Sequence, residues 1–76
     1  MPRVIRFFDK KTEEFKGEIF LPNIEVEILK HIMKFDSDDP LGYYCYPVNE
    51  IQANFFAQKG VLFDFLRFDY VLEYDR

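Results

Sequence analysis

The sequence predicts an α+β fold: an antiparallel sheet of about four strands with one or two helices packed on one face. Three observations support this fold class. Alternating apolar residues flank a polar loop within the first 21 residues, apolar residues recur at helical spacing in two central segments, and alternation returns after residue 60. Strands at both ends of the chain favour one sheet covered by the intervening helices. The other face of such a sheet stays open and can dock a partner.

Length and composition predict one folded domain, residues 1–76. The chain has 76 residues with 10 Phe and 5 Tyr, and so small a domain needs a dense core. Each aromatic side chain removes about 150–250 Å² from water, which supplies that density. Some of the fifteen aromatic residues should remain at the surface, where they mark a partner site.

The first element is a predicted hairpin. Val4 to Asp9 forms a strand, Lys10 to Glu14 a polar loop, and Phe15 to Leu21 a second strand that Pro22 ends. In the first strand the more apolar set is Ile5, Phe7 and Asp9. In the second strand, strict alternation places Phe15, Gly17, Ile19 and Leu21 on one face and Lys16, Glu18 and Phe20 on the other.

A helix over Ile24 to Lys34 is predicted next, with Asn23 as its N-cap. Acidic residues lie in its first turn and basic residues, including His31, near its end, as the helix dipole favours. Phe35 leaves the helix. The apolar stripe consists of Ile24, Ile28, Leu29, Ile32 and Met33.

The middle of the chain predicts a loop, a short extended segment and a second helix. Residues 36–40 contain three aspartates and a proline and are expected to form a solvated acidic loop, and residues 41–46 a short extended segment. The second helix starts at Pro47 or Asn49, where Asn49 and Gln52 have capping-box spacing, and ends near Gly60. Its predicted apolar stripe is Val48, Ile51 and Phe55.

Two C-terminal strands are predicted, Val61 to Leu66 and Tyr70 to Tyr74, around a turn at Arg67 to Asp69. Acidic residues alternate with the apolar ones, so one face should present a row of carboxylates that a purely structural surface would mix with more Lys and Arg. Asp64 is therefore a candidate partner-binding residue. The full row is Asp64, Asp69, Glu73 and Asp75.

The charge distribution indicates the kind of partner. The net charge is −4, and residues 36–76 hold 3 basic against 8 acidic residues. Phosphate backbones require clustered Lys and Arg, so direct nucleic-acid binding is not expected. An acidic, aromatic half suits a basic protein partner, while an ordinary solubility surface is the alternative interpretation.

No catalytic, metal or cofactor site is predicted. His31 is the only histidine, there is one serine, and no glycine-rich loop is present, so the chain is not expected to be an enzyme. The aspartates of residues 36–39 do not fit an EF-hand loop, because Leu41 and Pro47 stand where that loop needs Gly and Glu. One cysteine cannot form an internal disulfide, and the sequence shows neither a leader peptide nor a membrane-spanning run. A cytoplasmic location is the expectation.

Cys45 lies among three tyrosines, Tyr43, Tyr44 and Tyr46. Three tyrosines in four residues cannot all be buried on one face of a strand, so some pack inward and others face outward. Tyrosine is enriched at interfaces because it combines apolar area with a hydrogen bond. Tyr43 is therefore a candidate partner-binding residue, and burial in the core is the alternative for this segment.

The hairpin also resembles a known family. It contains Phe7-Phe8-Asp9-Lys10, then Thr12-Glu13, then Phe15-Lys16-Gly17-Glu18, which resembles the opening of the immunity proteins that accompany ribonuclease bacteriocins of the colicin/cloacin type. A weaker likeness continues in Cys45-Tyr46-Pro47-Val48 and in the closing segment from Tyr70 to Asp75.

The resemblance implies an inhibitor that binds the basic nuclease domain of a cognate toxin in a one-to-one complex, with no cofactor. A ribosomal ribonuclease, a tRNase or another nuclease effector would each fit. A stand-alone regulatory or structural interaction domain is the alternative. Carried over by position, the partner-binding residues are Phe8, Asp9, Phe15, Glu18 and Cys45. Asp9 and Glu18 are expected to affect binding rather than stability.

Overall fold

A computed structural model describes residues 3–74 of the chain. It contains a four-stranded antiparallel sheet and two α-helices, an α+β fold as predicted. Each helix has eight residues, and within residues 3–74 no helix is long and apolar enough to cross a membrane. In chain order the elements are β1 (Arg3–Asp9), β2 (Phe15–Phe20), α1 (Val26–Met33), β3 (Tyr46–Pro47), α2 (Glu50–Ala57) and β4 (Phe68–Tyr74).

The strand order in the sheet is β2-β1-β4-β3, so the two terminal parts of the chain pair at its centre. Ile5 lies between Ile19 of β2 and Leu72 of β4, and Tyr46 of β3 lies opposite Leu72. These residues share one face and belong to a single hydrophobic core. Both helices cover that face, as predicted, and contribute Leu29, Met33, Ala53 and Phe56 to the core.

A bulge in the hairpin changes one predicted face. Phe7 pairs with Gly17, whereas Phe8 pairs with Phe15, so Lys16 is an extra residue in β2. The bulge moves Phe15 to the face opposite Gly17 and Ile19, because two residues of one strand here oppose one of the other. The prediction that Phe15 shares a face with Gly17 is therefore wrong. Phe15 instead packs edge-on against Phe8, with ring centroids 5.8 Å apart.

Helix α1 is shorter than predicted, and Asn23 is not its N-cap. The cap residue is Glu25, in an extended conformation and without a side-chain capping bond. Ile24 and Val26 both pack against the core, which an extended chain allows and a helix would not, since residues two apart lie on different helix faces. Leu29 and Met33 are buried as predicted, but Ile28 is exposed. His31 lies in the last turn, where a cation was expected.

Helix α2 has the predicted capping box: Asn49 accepts a hydrogen bond from the Gln52 amide, and the Gln52 side chain accepts one from the Asn49 amide. Its end is also as predicted, since Gly60 has a φ of 95° and the amide of Val61 donates to the carbonyl of Phe56. The predicted stripe is partly wrong. Ile51 points outward, and Ala53 and Phe56 face the core instead.

Residues 61–66 do not form the predicted strand. Both neighbours of β4 are already strands, so the sheet offers no central position for a further strand. The side chains nevertheless alternate in burial: Val61 is buried and Phe63 and Phe65 are half-buried, while Leu62 and Leu66 are exposed. The segment lies on the helix-covered face without forming a strand and turns at residues 65–67, with Phe63 and Phe65 against the Tyr70 ring. Strand β4 starts at Phe68, so Asp69 lies in the strand rather than in the predicted turn.

Only the end of the predicted extended segment 41–46 is a strand, since β3 is confined to Tyr46 and Pro47. The predicted split of the tyrosines is confirmed: Tyr46 is buried in the core, while Tyr43 and Tyr44 are exposed. Cys45 is also exposed.

Candidate functional site

The sheet face opposite the helices is the candidate site, called the open face below. Neither helix contributes to it, and of its side chains only Val4 is fully buried. Phe15 is 56% exposed and Phe20 is 62% exposed, and both lie on β2 at the edge of the sheet. The register places the following residues on this face: Val4, Arg6, Phe8, Phe15, Glu18, Phe20, Asp69, Val71 and Glu73.

An ion-pair cluster occupies the centre of the open face. The guanidinium of Arg6 lies 3.1 Å from the Glu18 carboxylate on β2 and 3.3 Å from the Glu73 carboxylate on β4. The three residues occupy neighbouring strands, so the sheet itself brings them together. Farther along, Lys10 pairs with Asp69 at 2.8 Å. Asp69 and Glu73 do share a face, but it is not an unmixed row of carboxylates, since each is paired with a cation. Asp64 is not on β4, and Asp75 lies outside the described residues.

Cys45 borders the open face beside Glu73. The next residue, Tyr46, pairs with Leu72, which places Cys45 opposite Glu73. Burial of the sulfur raises the pKa of the Cys45 thiol, and the charge of Glu73 raises it further. A raised pKa keeps the thiol protonated at neutral pH, and a protonated thiol is a poor nucleophile.

The fold thus brings together four of the seven predicted partner-binding residues: Phe8, Phe15, Glu18 and Cys45. The other three lie elsewhere. Tyr43 packs against Tyr74 at one end of the sheet, with ring centroids 4.6 Å apart and the ring planes inclined by 57°. Asp64 lies on the helix-covered side, where its amide donates to the Tyr70 hydroxyl. Phe20 also lies on the open face but was not among the predicted residues. The sequence pattern already placed it on the same face of the second strand as Glu18, and this could have identified it.

Asp9 is built into the hairpin loop. Its Oδ1 accepts hydrogen bonds from the amides of Lys11 and Thr12 at 2.8 and 2.9 Å. These bonds lower the pKa of the Asp9 carboxyl. An Asp side chain that bonds the backbone two and three residues ahead fixes a turn. The expectation that Asp9 leaves stability unaffected does not agree with this geometry.

Replacing Asp9 by Ala is therefore expected to lower the melting temperature of the free protein by about 4 °C or more, because two turn amides lose their acceptor. Asp9→Asn should retain most of the stability, since its side chain keeps an acceptor oxygen. Thermal unfolding followed by circular dichroism measures both. If Asp9→Ala has the same melting temperature as the wild type, the Asp9 side chain does not stabilise the turn.

The segment before β3, residues 36–45, is held by a buried carboxylate and is called the tyrosine loop below. Asp39 is only 4% exposed, so the prediction of a wholly solvated acidic loop is wrong at this position. Its two oxygens accept hydrogen bonds from the amides of Tyr43 and Tyr44, at 2.8 and 2.9 Å, and from the Tyr46 hydroxyl at 2.6 Å. No local sequence signal distinguishes Asp39 from Asp36 and Asp38, because its donors lie four to seven residues away.

Arg3 supports the tyrosine loop from the sheet. Its guanidinium donates to the carbonyl of Gly42 at 2.6 Å and to that of Leu41. It also lies over the Phe35 and Tyr74 rings, at 5.7 and 5.2 Å from their centroids. The loop therefore has a fixed shape although it contains no regular secondary structure.

The Asp39 bonds have a consequence for acid stability. Burial acts to raise the pKa of Asp39, but the hydrogen bonds from Tyr46, Tyr44 and Tyr43 outweigh it and hold the pKa below its ordinary value. A carboxyl whose pKa is lower when folded stabilises the protein fully above its unfolded pKa of about 4. That contribution is lost as the pH falls below this value.

We expect the melting temperature of the wild type to fall as the pH is lowered from about 5 to 2. Asp39→Asn should melt lower at neutral pH, because an amide NH2 then faces a donor, and its melting temperature should depend less on pH. The pH dependence of Asp39→Asn is compared with that of Asp9→Asn, because Asp9 is another carboxyl whose pKa is lowered in the folded protein. Equal pH dependence in wild type and Asp39→Asn would contradict the role given to Asp39.

Among residues 3–74, no group of three or more His, Cys, Asp and Glu side chains is arranged to hold a metal ion. A shallow depression on the helix side is lined by Glu27, Lys30, His31, Lys34 and Phe35. Its side chains are largely those of the exposed face of α1, and the open face presents the larger set of exposed aromatic groups.

Comparison with known proteins gives a family but no described activity. The chain belongs to a family described as a domain of unknown function, DUF7683, whose model matches residues 2–73. No curated protein and no solved structure matches the chain.

Proposed function

We propose that this member of the DUF7683 family is an immunity protein that binds and neutralises the basic nuclease domain of a cognate bacterial toxin, in a one-to-one complex. The observation that carries the proposal is the open face with its two exposed phenylalanines. The resemblance of the hairpin to colicin/cloacin-type immunity proteins supplies the class of partner. Neither a catalytic nor a cofactor-dependent role is part of this function.

The open face suits a protein partner better than a small molecule. It is a sheet surface rather than a cleft, and small ligands require concave sites that enclose them. Phe15 and Phe20 lie at its edge and provide the apolar anchors on which interface affinity usually depends. Phe8 extends the apolar area by packing against Phe15.

Polar groups on the open face contribute specificity. Arg6 lies between Glu18 and Glu73 and offsets one of their two negative charges, so a basic partner is attracted by one net negative charge there rather than two. A fixed pattern of two carboxylates, one guanidinium and the Cys45 thiol instead selects a partner with matching donors and acceptors. In this proposal Phe15 and Phe20 supply most of the affinity of the open face.

The test uses the protein encoded next to this gene in its native genome, because a toxin and its immunity protein must be inherited together. The purified C-terminal nuclease domain of that neighbour is titrated with this protein by calorimetry, and its nuclease activity is measured with and without the complex. Tight one-to-one binding with loss of nuclease activity is expected. Binding without inhibition would favour a regulatory interaction domain, and no binding would overturn the proposal.

A further inference from the structure

The open face is small for a tight inhibitory interface. Strands are spaced about 4.8 Å apart with a rise of about 3.4 Å per residue, so the four strands present roughly 350 Å² of flat area. Stable protein complexes bury about 800 Å² on each partner. A partner that buries a surface of standard size is therefore expected to contact residues beyond the open face.

The tyrosine loop adjoins the open face at the β3 edge. Cys45 is the last residue of the loop and lies on the border of the open face, opposite Glu73. From there the loop leads to three large side chains that are each about half exposed: Leu41, Tyr43 and Tyr44. The bonds to Asp39 and Arg3 hold this part of the loop in place, so binding orders little new structure.

The loop also adds negative charge to that of the open face. Asp36 and Asp38 are exposed, and within residues 3–74 neither forms a salt bridge. Asp38 accepts a hydrogen bond from the Tyr44 hydroxyl at 3.2 Å, which keeps its carboxylate beside an exposed ring. On the open face, by contrast, Glu18, Glu73 and Asp69 are all paired with cations of the same chain.

We infer that the partner-binding surface continues from the open face around the β3 edge onto the tyrosine loop, where Asp36, Asp38 and the exposed tyrosines attract and hold basic side chains of the same partner. The inference rests on the proposed function. Unpaired carboxylates steer a basic protein towards the surface and raise the association rate at low salt. Exposed tyrosine rings beside them accept Lys and Arg through cation–π contacts.

Two charge variants with the same change in net charge test this inference. Asp36→Asn with Asp38→Asn removes two carboxylates from the tyrosine loop, and Glu25→Gln with Glu27→Gln removes two exposed carboxylates near the start of α1. Association of each with the neighbouring gene's nuclease domain is followed by stopped flow from low to high salt. The loop variant is expected to associate about tenfold more slowly at low salt and to depend less on salt. The helix variant should differ from the wild type by less than about twofold.

Amide chemical shifts recorded on titration with the same nuclease domain give the second readout. Shifts in β1, β2 and β4 together with residues 36–45 are expected. Shifts confined to the strands, or equal kinetics for the two charge variants, would overturn the extension while leaving the open face as the interface. No shifts at all, with no binding, would instead overturn the proposed function itself.

Discussion

Replacing Gly42 by Ala is expected to destabilise the protein by about 3–5 kcal/mol, which is most of the stability of many small domains. Gly42 has a φ of 69°, where an L side chain costs about 1–2 kcal/mol. An added Cβ would also lie 2.2 Å from two ring atoms of Phe35. Phe35 belongs to the core and packs against Tyr46, so its ring cannot move aside without disturbing its neighbours.

Gly60→Ala is the matched control for this variant. Gly60 also has a positive φ, 95°, but no atom lies within 4 Å of an added Cβ. Gly60→Ala should therefore show the backbone cost alone, and chemical denaturation measures the difference between the two. Adding Phe35→Leu to Gly42→Ala should recover part of the loss by making room for the methyl group. Equal destabilisation by the two glycine substitutions would show that the contact with Phe35 is unimportant.

Replacing Phe15 and Phe20 together by Ala is expected to weaken binding of the cognate nuclease domain by about 3–5 kcal/mol, or roughly 10²- to 10⁴-fold. The two rings provide the exposed apolar anchors of the open face. The free protein should lose little stability, about 1 kcal/mol, because Phe20 is largely exposed and Phe15 gives up only its contact with Phe8. Calorimetric titration and thermal unfolding of the double variant measure the two effects.

A control with the same kind of change lies on the other side of the molecule. Leu62 and Leu66 are 86% and 92% exposed, in the segment that lies on the helix-covered face. Leu62→Ala with Leu66→Ala should leave binding within about threefold of the wild type. If this control weakens binding as strongly as the phenylalanine variant, the binding surface is on the helix side and the open face is not the interface.

Local patterns were sufficient for the fold class and for most elements. The alternation of Val4 to Asp9 and of Tyr70 to Tyr74 predicted the two central strands, and Asn49 with Gln52 predicted the start of α2. These signals were accurate because strand alternation and helix capping depend on residues within a few positions of each other. The inward and outward division of the tyrosines followed from the same strand geometry.

Pairing between distant segments had to come from the tertiary structure. The alternation of Val61, Phe63 and Phe65 indicates burial on one side, and it does not distinguish a paired strand from an unpaired segment that lies against the core. The bulge at Lys16, which moves Phe15 onto the open face, depends on the register between β1 and β2. A pattern of one strand taken alone contains no information about that register.

Some features of the candidate site could likewise be predicted from the sequence, and others depended on the tertiary structure. The sequence by itself determined that some aromatic residues remain at the surface, and the resemblance of the hairpin gave Phe8, Phe15, Glu18 and Cys45 as candidate partner-binding residues. Only the bulge in β2 placed Phe15 on the same face as Glu18. Only the tertiary structure decided that Arg6 pairs with both Glu18 and Glu73, that Asp9 fixes a turn, and that Asp39 is buried. Charge and hydrogen-bond partners are set by which segments meet in space, and a carboxylate in a sequence looks the same whether it faces a cation, a backbone amide or water.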